Sequence, residues 1–300
     1  MPSFAKASTQ AERAVSRAMA ANEARHENRN DGKVHSIGTA RAYESALDQV
    51  AKWDRAQGGL GLGQLTTEQA QAYLSERAEQ LGQSTLDLHR QALQVLPNVD
   101  KLDREKSLVD RPGLADQGRA YTSAQVAAIA EKQSAHHGLA TEIAHAAGLR
   151  AHELATLRPA AEQPASGHRE WSDQRFSGRD GETYTVVGKG GLVREVQIPS
   201  EMAQRLETRR LDEPRQVIDR GVNYQQHYDI GAGNNWSSSF SRVSQTELGY
   251  STGAHGLRHS YAQERMDELQ ASGKTYQDAL VTVSQEMGHF RADITEVYLR

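Results

Sequence analysis

The feature that most constrains the fold of this chain is the recurrence of apolar residues at helical spacing. From Thr39 onward they follow the i, i+3, i+4, i+7 and i+10 pattern of one helix face: Tyr43, Ala46, Leu47, Val50 and Trp53. Further blocks of this kind follow, several of them closed by a glycine. Two β-branched runs interrupt the helical pattern in the second half. The sequence therefore predicts a mainly α fold, with a small antiparallel sheet in a mixed α/β second domain.

The helical blocks of the first half predict a small domain of their own, over residues 38–108. Within it, Thr66 and Gln69 have the spacing of a capping box, which marks the start of a helix. Residues 109–119 contain one proline, two glycines and several charges but almost no apolar periodicity. Such a segment is typical of a linker between domains.

Residues 1–37 are predicted to form a polar N-terminal arm. Residues 8–24 could form a helix, but the apolar face of that helix is thin. The composition favours a mobile tail. The alternative is an arm that contacts a partner or DNA.

Residues 120–300 predict a second domain of helices around one hairpin. The β-branched runs 184–187 and 193–198 are joined by a glycine-rich turn at 188–191, which is a hairpin signal. Other elements are predicted as follows: helices near 123–130, 139–147, 151–157, 199–211, 255–269 and 275–287, and loops over 160–181 and 219–250. Gly148 is expected to be the C′ residue of the helix before it.

Composition excludes several classes of protein. The chain has 300 residues and no cysteine, so disulfide frameworks, cysteine zinc sites and thiol catalysis are excluded. No apolar run approaches the ~18 residues of a membrane span, and the N-terminus lacks the apolar core of a secretory signal. We therefore expect a cytoplasmic protein. The formal net charge of −4 means that any DNA binding must come from a local patch.

Taken singly, the candidate site residues are weak signals. His255 and Arg258 lie at i and i+3, on one face of a predicted helix. His255 and His259 have half of a zinc-site spacing, but the glutamate of that motif is absent, so no metal is expected. Residues 181–189 are not a phosphate-binding loop, because the glycine spacing is too long and a strand follows.

The order of these residues is a stronger signal. Arg150 stands in Gly-Leu-Arg-Ala-His-Glu-Leu, Lys189 in the hairpin turn, and His255 and Arg258 in His-Gly-Leu-Arg-His. Gly-His and then a tyrosine nine residues later complete the series. Residues 120–300 thereby resemble the catalytic domain of the tyrosine recombinases, the phage-integrase family, and residues 38–108 more weakly resemble its core-binding domain. The resemblance implies this active site: Arg150, Lys189, His255, Arg258, His289 and Tyr298.

The chemistry of such an enzyme requires a set of this kind. Two guanidiniums can bind the non-bridging oxygens of a phosphodiester and offset the charge that builds in the transition state. Tyr298 can attack phosphorus and leave a covalent 3′-phosphotyrosine. His255 can take the proton of the nucleophile, Lys189 can protonate the leaving oxygen, and His289 can hydrogen-bond the phosphate. No cofactor or metal is needed. Glu153 is expected to orient a guanidinium.

The resemblance implies a site-specific recombinase or integrase that acts on double-stranded DNA, assembles as a tetramer there and can use an accessory directionality factor. Two alternatives are a type IB topoisomerase-like enzyme, which relaxes one duplex, and a DNA-binding relative without catalysis. The sequence departs from the family pattern in the long polar segment 160–181 and in the two residues that follow Tyr298. If Arg300 is the natural terminus, we expect a monomeric free protein and a loosely held Tyr298 segment.

Overall fold

The chain divides into two compact units, Met1–Leu114 and Ala115–Arg300. The structure is a computed structural model that describes residues 5–20, 32–109 and 118–300. The division falls inside the predicted linker 109–119, most of which lies outside the described residues.

The first unit is helical. The Ser36 side chain caps the second helix by accepting a hydrogen bond from Thr39 N, and Thr66 and Gln69 form the predicted capping box at the third. In chain order the helices are α1 (Ala7–Ala18), α2 (Ile37–Ala56), a 3-10 turn (Leu62–Gln64), α3 (Thr67–Arg77) and α4 (Gln83–Leu93).

Helix α1 corrects the expectation of a mobile tail for its part of the arm. Ala7, Ala11 and Val15 are buried in the same core cluster as α2. These residues have the i, i+4, i+8 spacing of one helix face. The face is thin because two of the three side chains are methyl groups, which bury little area but let the two helices approach closely. The sequence 21–31 of the arm lies outside the described residues.

The second unit contains helices and two small sheets. Its elements, in chain order, are α5 (Ser123–Lys132), α6 (Ala135–Ala146), a 3-10 helix (Glu153–Thr156), β1 (Arg158–Pro159), β2 (Glu182–Val187), a 3-10 turn (Lys189–Gly191), β3 (Val193–Ile198), α7 (Ser200–Glu207), β4 (Arg210–Asp219), β5 (Val222–Tyr228), α8 (Gly233–Leu248), α9 (Gly256–Ala271), α10 (Tyr276–Glu286), α11 (Ala292–Glu296) and a 3-10 turn (Val297–Leu299). No helix among the described residues is long and apolar enough to cross a membrane.

The predicted hairpin is confirmed as β2 and β3. The strands pair antiparallel from Val187 opposite Val193 to Glu182 opposite Ile198, and β1 pairs with the other edge of β2. Alternate residues of β3 are buried, beginning with Arg194. The hairpin turn therefore extends from a strand that packs against the interior of the unit.

The expectation of loops over 219–250 is wrong. Strand β5 pairs with β4 through a two-residue turn, Arg220–Gly221, in which both residues have positive φ. Helix α8 follows, and its Trp236 and Phe240 are fully buried at i and i+4. Asn234 and Asn235 precede these rings and three serines separate them, and this polar composition concealed the period of the helix.

Helices α9 and α10 share a small core of their own, which includes Tyr261, Leu280 and Met287. Tyr298 and Leu299 pack against this cluster from the end of the chain. The packing brings the start of α9, the end of α10 and the final turn of the chain to one place.

Candidate active site

Gly148 forms the turn that leads into Arg150. Helix α6 ends at Ala146, and Gly148 follows with φ 60°, as predicted for a C′ residue. A Cβ atom there would lie 2.7 Å from the Tyr261 ring, so the close packing also requires glycine. Arg150 stands two residues later, with 23% of its side chain exposed.

Glu153 is a fully buried carboxylate that contacts three guanidiniums. Its Oε1 accepts from Arg150 Nη1 at 2.6 Å, and its Oε2 accepts from Arg194 Nη2 at 2.8 Å. Arg258 Nη1 is 3.9 Å away. Burial opposes ionisation, but the charges of Arg194, Arg258 and Arg150 outweigh it and hold the pKa of Glu153 well below 4.5. Glu153 thus orients three cations while it can neutralise only one of them.

Arg258 is fully buried beneath the site. Its Nη1 donates to the carbonyl of Gly148, and its Nη2 donates to the carbonyl of Met287 at 3.2 Å. The Nε is buried without a hydrogen-bond partner among the described atoms. Burial and the charge of Arg150 lower the pKa of Arg258 to about 10, so the side chain is still a cation at neutral pH. This buried cation links the turn after α6 to the end of α10.

His289 is fixed by hydrogen bonds on both ring nitrogens. Arg258 Nη2 lies 3.1 Å from His289 Nε2, and Thr295 Oγ1 lies 3.1 Å from Nδ1. A guanidinium can only donate, so Nε2 accepts and the ring proton is on Nδ1, which donates to Thr295. Burial and the charge of Arg258 lower the pKa of His289 to about 3. A neutral His289 therefore connects Arg258 to helix α11.

Tyr298 lies among three imidazole rings. Its hydroxyl is 3.1 Å from His255 Nε2. The ring centroids of His259 and His289 are 4.8 and 5.1 Å from that of Tyr298, and the Arg258 guanidinium carbon is 5.6 Å from it. Desolvation by these neighbours and the charge of Arg258 lower the pKa of His255, although part of its ring is exposed. A neutral His255 can accept the proton of Tyr298.

The segment that carries Tyr298 is held more firmly than the sequence suggested. Gln263 Nε2, on α9, donates to the carbonyls of Tyr298 and Arg300, both at 3.1 Å. Together with the packing of Leu299, these bonds fix the backbone from the tyrosine to Arg300. The sequence indicates few buried contacts here, because a glutamine that anchors a distant backbone leaves no pattern.

The structure brings together five of the six predicted residues. Direct contacts join His255, Arg258, His289 and Tyr298. Arg150 is linked to Arg258 through Glu153, which contacts both guanidiniums. Lys189 begins the 3-10 turn between β2 and β3. A Cβ atom on the preceding Gly188 would lie 3.3 Å from Glu153 Oε1, which places the Lys189 backbone beside the Arg150–Glu153 pair.

Two residues near this site were missed by the sequence analysis. Arg194 is 1% exposed and its Nη1 donates to the carbonyl of Glu286 at 2.7 Å, in addition to its bond with Glu153. Arg194 lies on the inward face of β3 together with Val196 and Ile198. An arginine at an alternating position that is otherwise apolar was the sequence signal that could have identified it as a buried residue. His259 packs on the Tyr298 ring, whereas its i, i+4 spacing from His255 suggested only a zinc site.

Comparison with known proteins gives one family-model match in the first unit and several solved structures of similar fold. Residues 31–97 match the family model of the phage integrase N-terminal SAM-like domain. No curated protein matches the sequence of the chain.

Among solved structures, the lambda integrase(75–356) dimer bound to a COC′ core site has a TM-score of 0.55 and 14% identity, over 92% of this chain and 93% of that one. The XerH site-specific recombinase bound to palindromic difH substrate, in a post-cleavage complex, has a TM-score of 0.50 and 16% identity, over 87% of this chain and 76% of that one. The pre-cleavage XerH complex with difH substrate is similar, at a TM-score of 0.50 and 18% identity, over 87% of this chain and 75% of that one.

The family-model match over residues 31–97 and the shared fold support the predicted resemblance to the tyrosine recombinases, or phage integrases. The predicted fold class, mainly α with a small antiparallel sheet in a mixed α/β domain, is confirmed.

Proposed function

We propose that this chain is a site-specific DNA recombinase or integrase that cuts and rejoins double-stranded DNA through a covalent 3′-phosphotyrosine at Tyr298. The contact between Tyr298 Oη and His255 Nε2 carries the proposal, because it pairs a nucleophile with a base. The nearby arginines supply the positive charge that an anionic phosphodiester requires. The DNA-bound recombinases that share the fold support this assignment.

The cleavage step transfers one proton at each end of the reacting phosphate. His255 accepts the proton of Tyr298 as the phenolic oxygen attacks phosphorus. The bond from phosphorus to the 5′ oxygen breaks, and Lys189 donates a proton to that leaving oxygen. One phosphodiester is exchanged for another, so the reverse attack by a 5′ hydroxyl rejoins a strand without an external energy source.

The two predicted arginines have different access to the phosphate. Arg150 is partly exposed and can contact a non-bridging oxygen directly. Arg258 lies under the Tyr298 ring, so that ring must shift before a phosphate can reach the guanidinium. His289 accepts from Arg258 in its neutral form, and a bound phosphate would favour protonation of the ring and a hydrogen bond to the anion.

The partner is proposed to be a duplex recombination site, on which several copies assemble as a tetramer, with an accessory directionality factor as a further candidate partner. A nicked duplex library with a randomised core tests the enzymatic step without knowledge of the site. The nick releases a short fragment after cleavage, so covalent complexes accumulate and can be recovered after denaturation and sequenced. A 5′ hydroxyl on the released strand and a nucleotide adduct on the Tyr298 peptide are expected, with or without EDTA.

The matched control is Tyr298→Phe, which should bind DNA and form no adduct. An adduct of equal yield in that variant would contradict the assignment. Binding without any adduct in the wild type would favour the non-catalytic alternative. Relaxation of a single supercoiled plasmid without strand exchange between paired sites would favour the topoisomerase-like alternative.

A further inference from the structure

The long polar segment between β1 and β2 makes contacts that the proposed reaction does not explain. The sequence predicted a loop there, and β2 begins only at Glu182. Within it, residues 166–179, here called the strap, run across the end of α10. Ser172 N donates to Gln285 Oε1 and Phe176 N donates to Glu286 Oε1, both at 2.7 Å. The strap is therefore bound to the last turn of the helix that precedes His289.

The anchor of the strap is a buried ionic group. Glu286 is 1% exposed, and besides Phe176 N it accepts from Tyr261 Oη at 2.8 Å and from the Arg265 guanidinium. Arg265 Nη2 also donates to the carbonyl of Ser177 at 2.9 Å. A buried, fully bonded group of this kind holds its backbone partners in one geometry. The strap thus has a fixed position relative to α10.

From this anchor the strap reaches the residue after His289. The ring centroids of Trp171 and Phe290 are 4.8 Å apart, and the Arg169 guanidinium carbon is 5.0 Å from the Phe290 ring centroid. Phe290 has φ 55°, in the left-handed region that favours glycine. A phenylalanine adopts this conformation only where contacts of its ring hold it there. Trp171 and Arg169 provide such contacts.

We propose that Trp171, assisted by Arg169, is a positioning residue for His289. It clamps the Phe290 ring, which fixes the Gly288–Phe290 turn and keeps His289 Nε2 against the Arg258 guanidinium. Without the clamp, the turn is still attached through His289 N, which donates to the Ser284 carbonyl at 2.8 Å. Loss of Trp171 should therefore loosen the imidazole without removing it. The expected effect on the cleavage rate rests on the proposed function, whereas the expected effect on the position of His289 does not.

A double-mutant cycle with His289 tests the proposal. Removal of one positioned group of an active site typically slows a reaction by about 10²–10³-fold. Trp171→Ala loosens His289 without removing it, so this variant should slow adduct formation by about tenfold, with DNA affinity unchanged. Trp171→Phe keeps an aromatic ring on Phe290 and loses only the hydrogen bond from Trp171 Nε1 to the Ser166 carbonyl, which lies within the strap, so the rate should stay within about twofold of wild type. Adding Trp171→Ala to His289→Ala should slow the reaction no further.

The control is Gln174→Ala, which removes a different interaction of the strap, the hydrogen bond from Lys274 Nζ at 2.8 Å, in which Phe290 takes no part. It should react at the wild-type rate. Effects of Trp171→Ala and His289→Ala that multiply in the double variant, or a Trp171→Ala rate equal to wild type, would overturn the proposal. If Trp171→Ala does not fold, Arg169→Ala replaces it in the double-mutant cycle. The Arg169 side chain is exposed, so its removal should not prevent folding.

A second measurement does not depend on cleavage. In protein with isotope-labelled histidine, the ring signals of His289, assigned by their loss in His289→Ala, should shift or broaden in Trp171→Ala and be unchanged in Gln174→Ala. Unchanged His289 signals in Trp171→Ala would overturn the proposal even if the rate falls. A wild-type chain that forms no adduct would refute the proposed function, while the histidine spectra would still decide the positioning role.

Discussion

Replacing Glu153 by glutamine removes the negative charge that three arginines share. Each carboxylate oxygen accepts a guanidinium hydrogen bond, Oε1 from Arg150 and Oε2 from Arg194. Oε2 also accepts from Arg150 N at 2.8 Å. A glutamine amide has one oxygen and one NH₂ group, so in either orientation a donor would face a donor. The change therefore removes the charge and breaks at least one hydrogen bond.

The expected loss of stability follows from the burial of the group. The side chains of Glu153 and Arg258 are 0% exposed, and that of Arg194 is 1% exposed. Removing one partner of a buried ion pair costs about 3–5 kcal/mol, because the remaining charge stays in a poorly solvated place. Glu268→Gln is the matched control: this carboxylate bonds Arg179 and Arg265 but is 45% exposed, so at most about 1 kcal/mol is expected.

Native-state hydrogen exchange read by mass spectrometry measures the effect within the second unit. Peptides from α9 and α10 report the opening free energy of the elements that hold Arg258 and His289. We expect Glu153→Gln to lower that free energy by about 3–5 kcal/mol at pH 7.

The pH dependence supplies a second check with a defined sign. The pKa of Glu153 is lowered from its ordinary value of 4.5. Ionised Glu153 therefore contributes its stability above pH 4.5 and loses it as the pH falls toward the lower folded pKa. The difference between wild type and Glu153→Gln should be constant from pH 7 to 5 and should shrink below 4.5, at up to about 1.4 kcal/mol per pH unit. A difference below about 1 kcal/mol at pH 7, or one that does not change with pH, would refute the reasoning.

Three further predictions concern the proposed reaction. Arg150→Ala should slow adduct formation by roughly 10²–10³-fold with little change in DNA affinity, measured by single-turnover trapping at saturating protein. Since the pKa of His255 is lowered from 6.5, neutral His255 should remain the base below pH 6.5, so the cleavage rate should stay level from pH 8 to below 6.5 and fall only on further acidification; a fall centred on 6.5 would contradict this. Deletion of residues 1–108 should weaken DNA binding by orders of magnitude and reduce the slope of log affinity against log salt by about 0.9 for each phosphate that the shortened chain no longer neutralises, measured by fluorescence anisotropy.

Elements with a local signal could be predicted from the sequence. The hairpin β2–β3 has β-branched runs on both sides of a glycine turn, and Gly148 closes a helix that carries its own period. The candidate site residues could be placed in one site because their order along the chain matches a family pattern. That match depends only on which residue types stand at the motif positions, so it can be recognised without knowledge of the packing.

Elements stabilised by distant contacts could not be predicted. Helix α1 has only alanine methyls and one valine on its buried face, and it becomes a stable element through α2. Strand β4 buries none of its side chains, and one of the two residues that β5 buries is the polar Gln226, so their main-chain pairing has no clear hydrophobic alternation to reveal it. The role of the strap depends on the buried Glu286, which is more than a hundred residues from Phe176 in sequence.

The acidic balance of the chain is compatible with an anionic substrate because of where its charges lie. At physiological salt, exposed charges are screened beyond about 8 Å, so carboxylates elsewhere on the surface contribute little at the site. The guanidiniums of Arg194 and Arg258 are buried, where the lower dielectric strengthens their field. Glu153 can balance only one of the three arginines around it. The site is thus positive although the formal net charge of the chain is −4. Because Arg258 is buried next to the Tyr298 ring, its guanidinium makes no direct contact with DNA at the first encounter. We therefore expect it to act mainly on the reacting phosphate, where the developing negative charge is greatest.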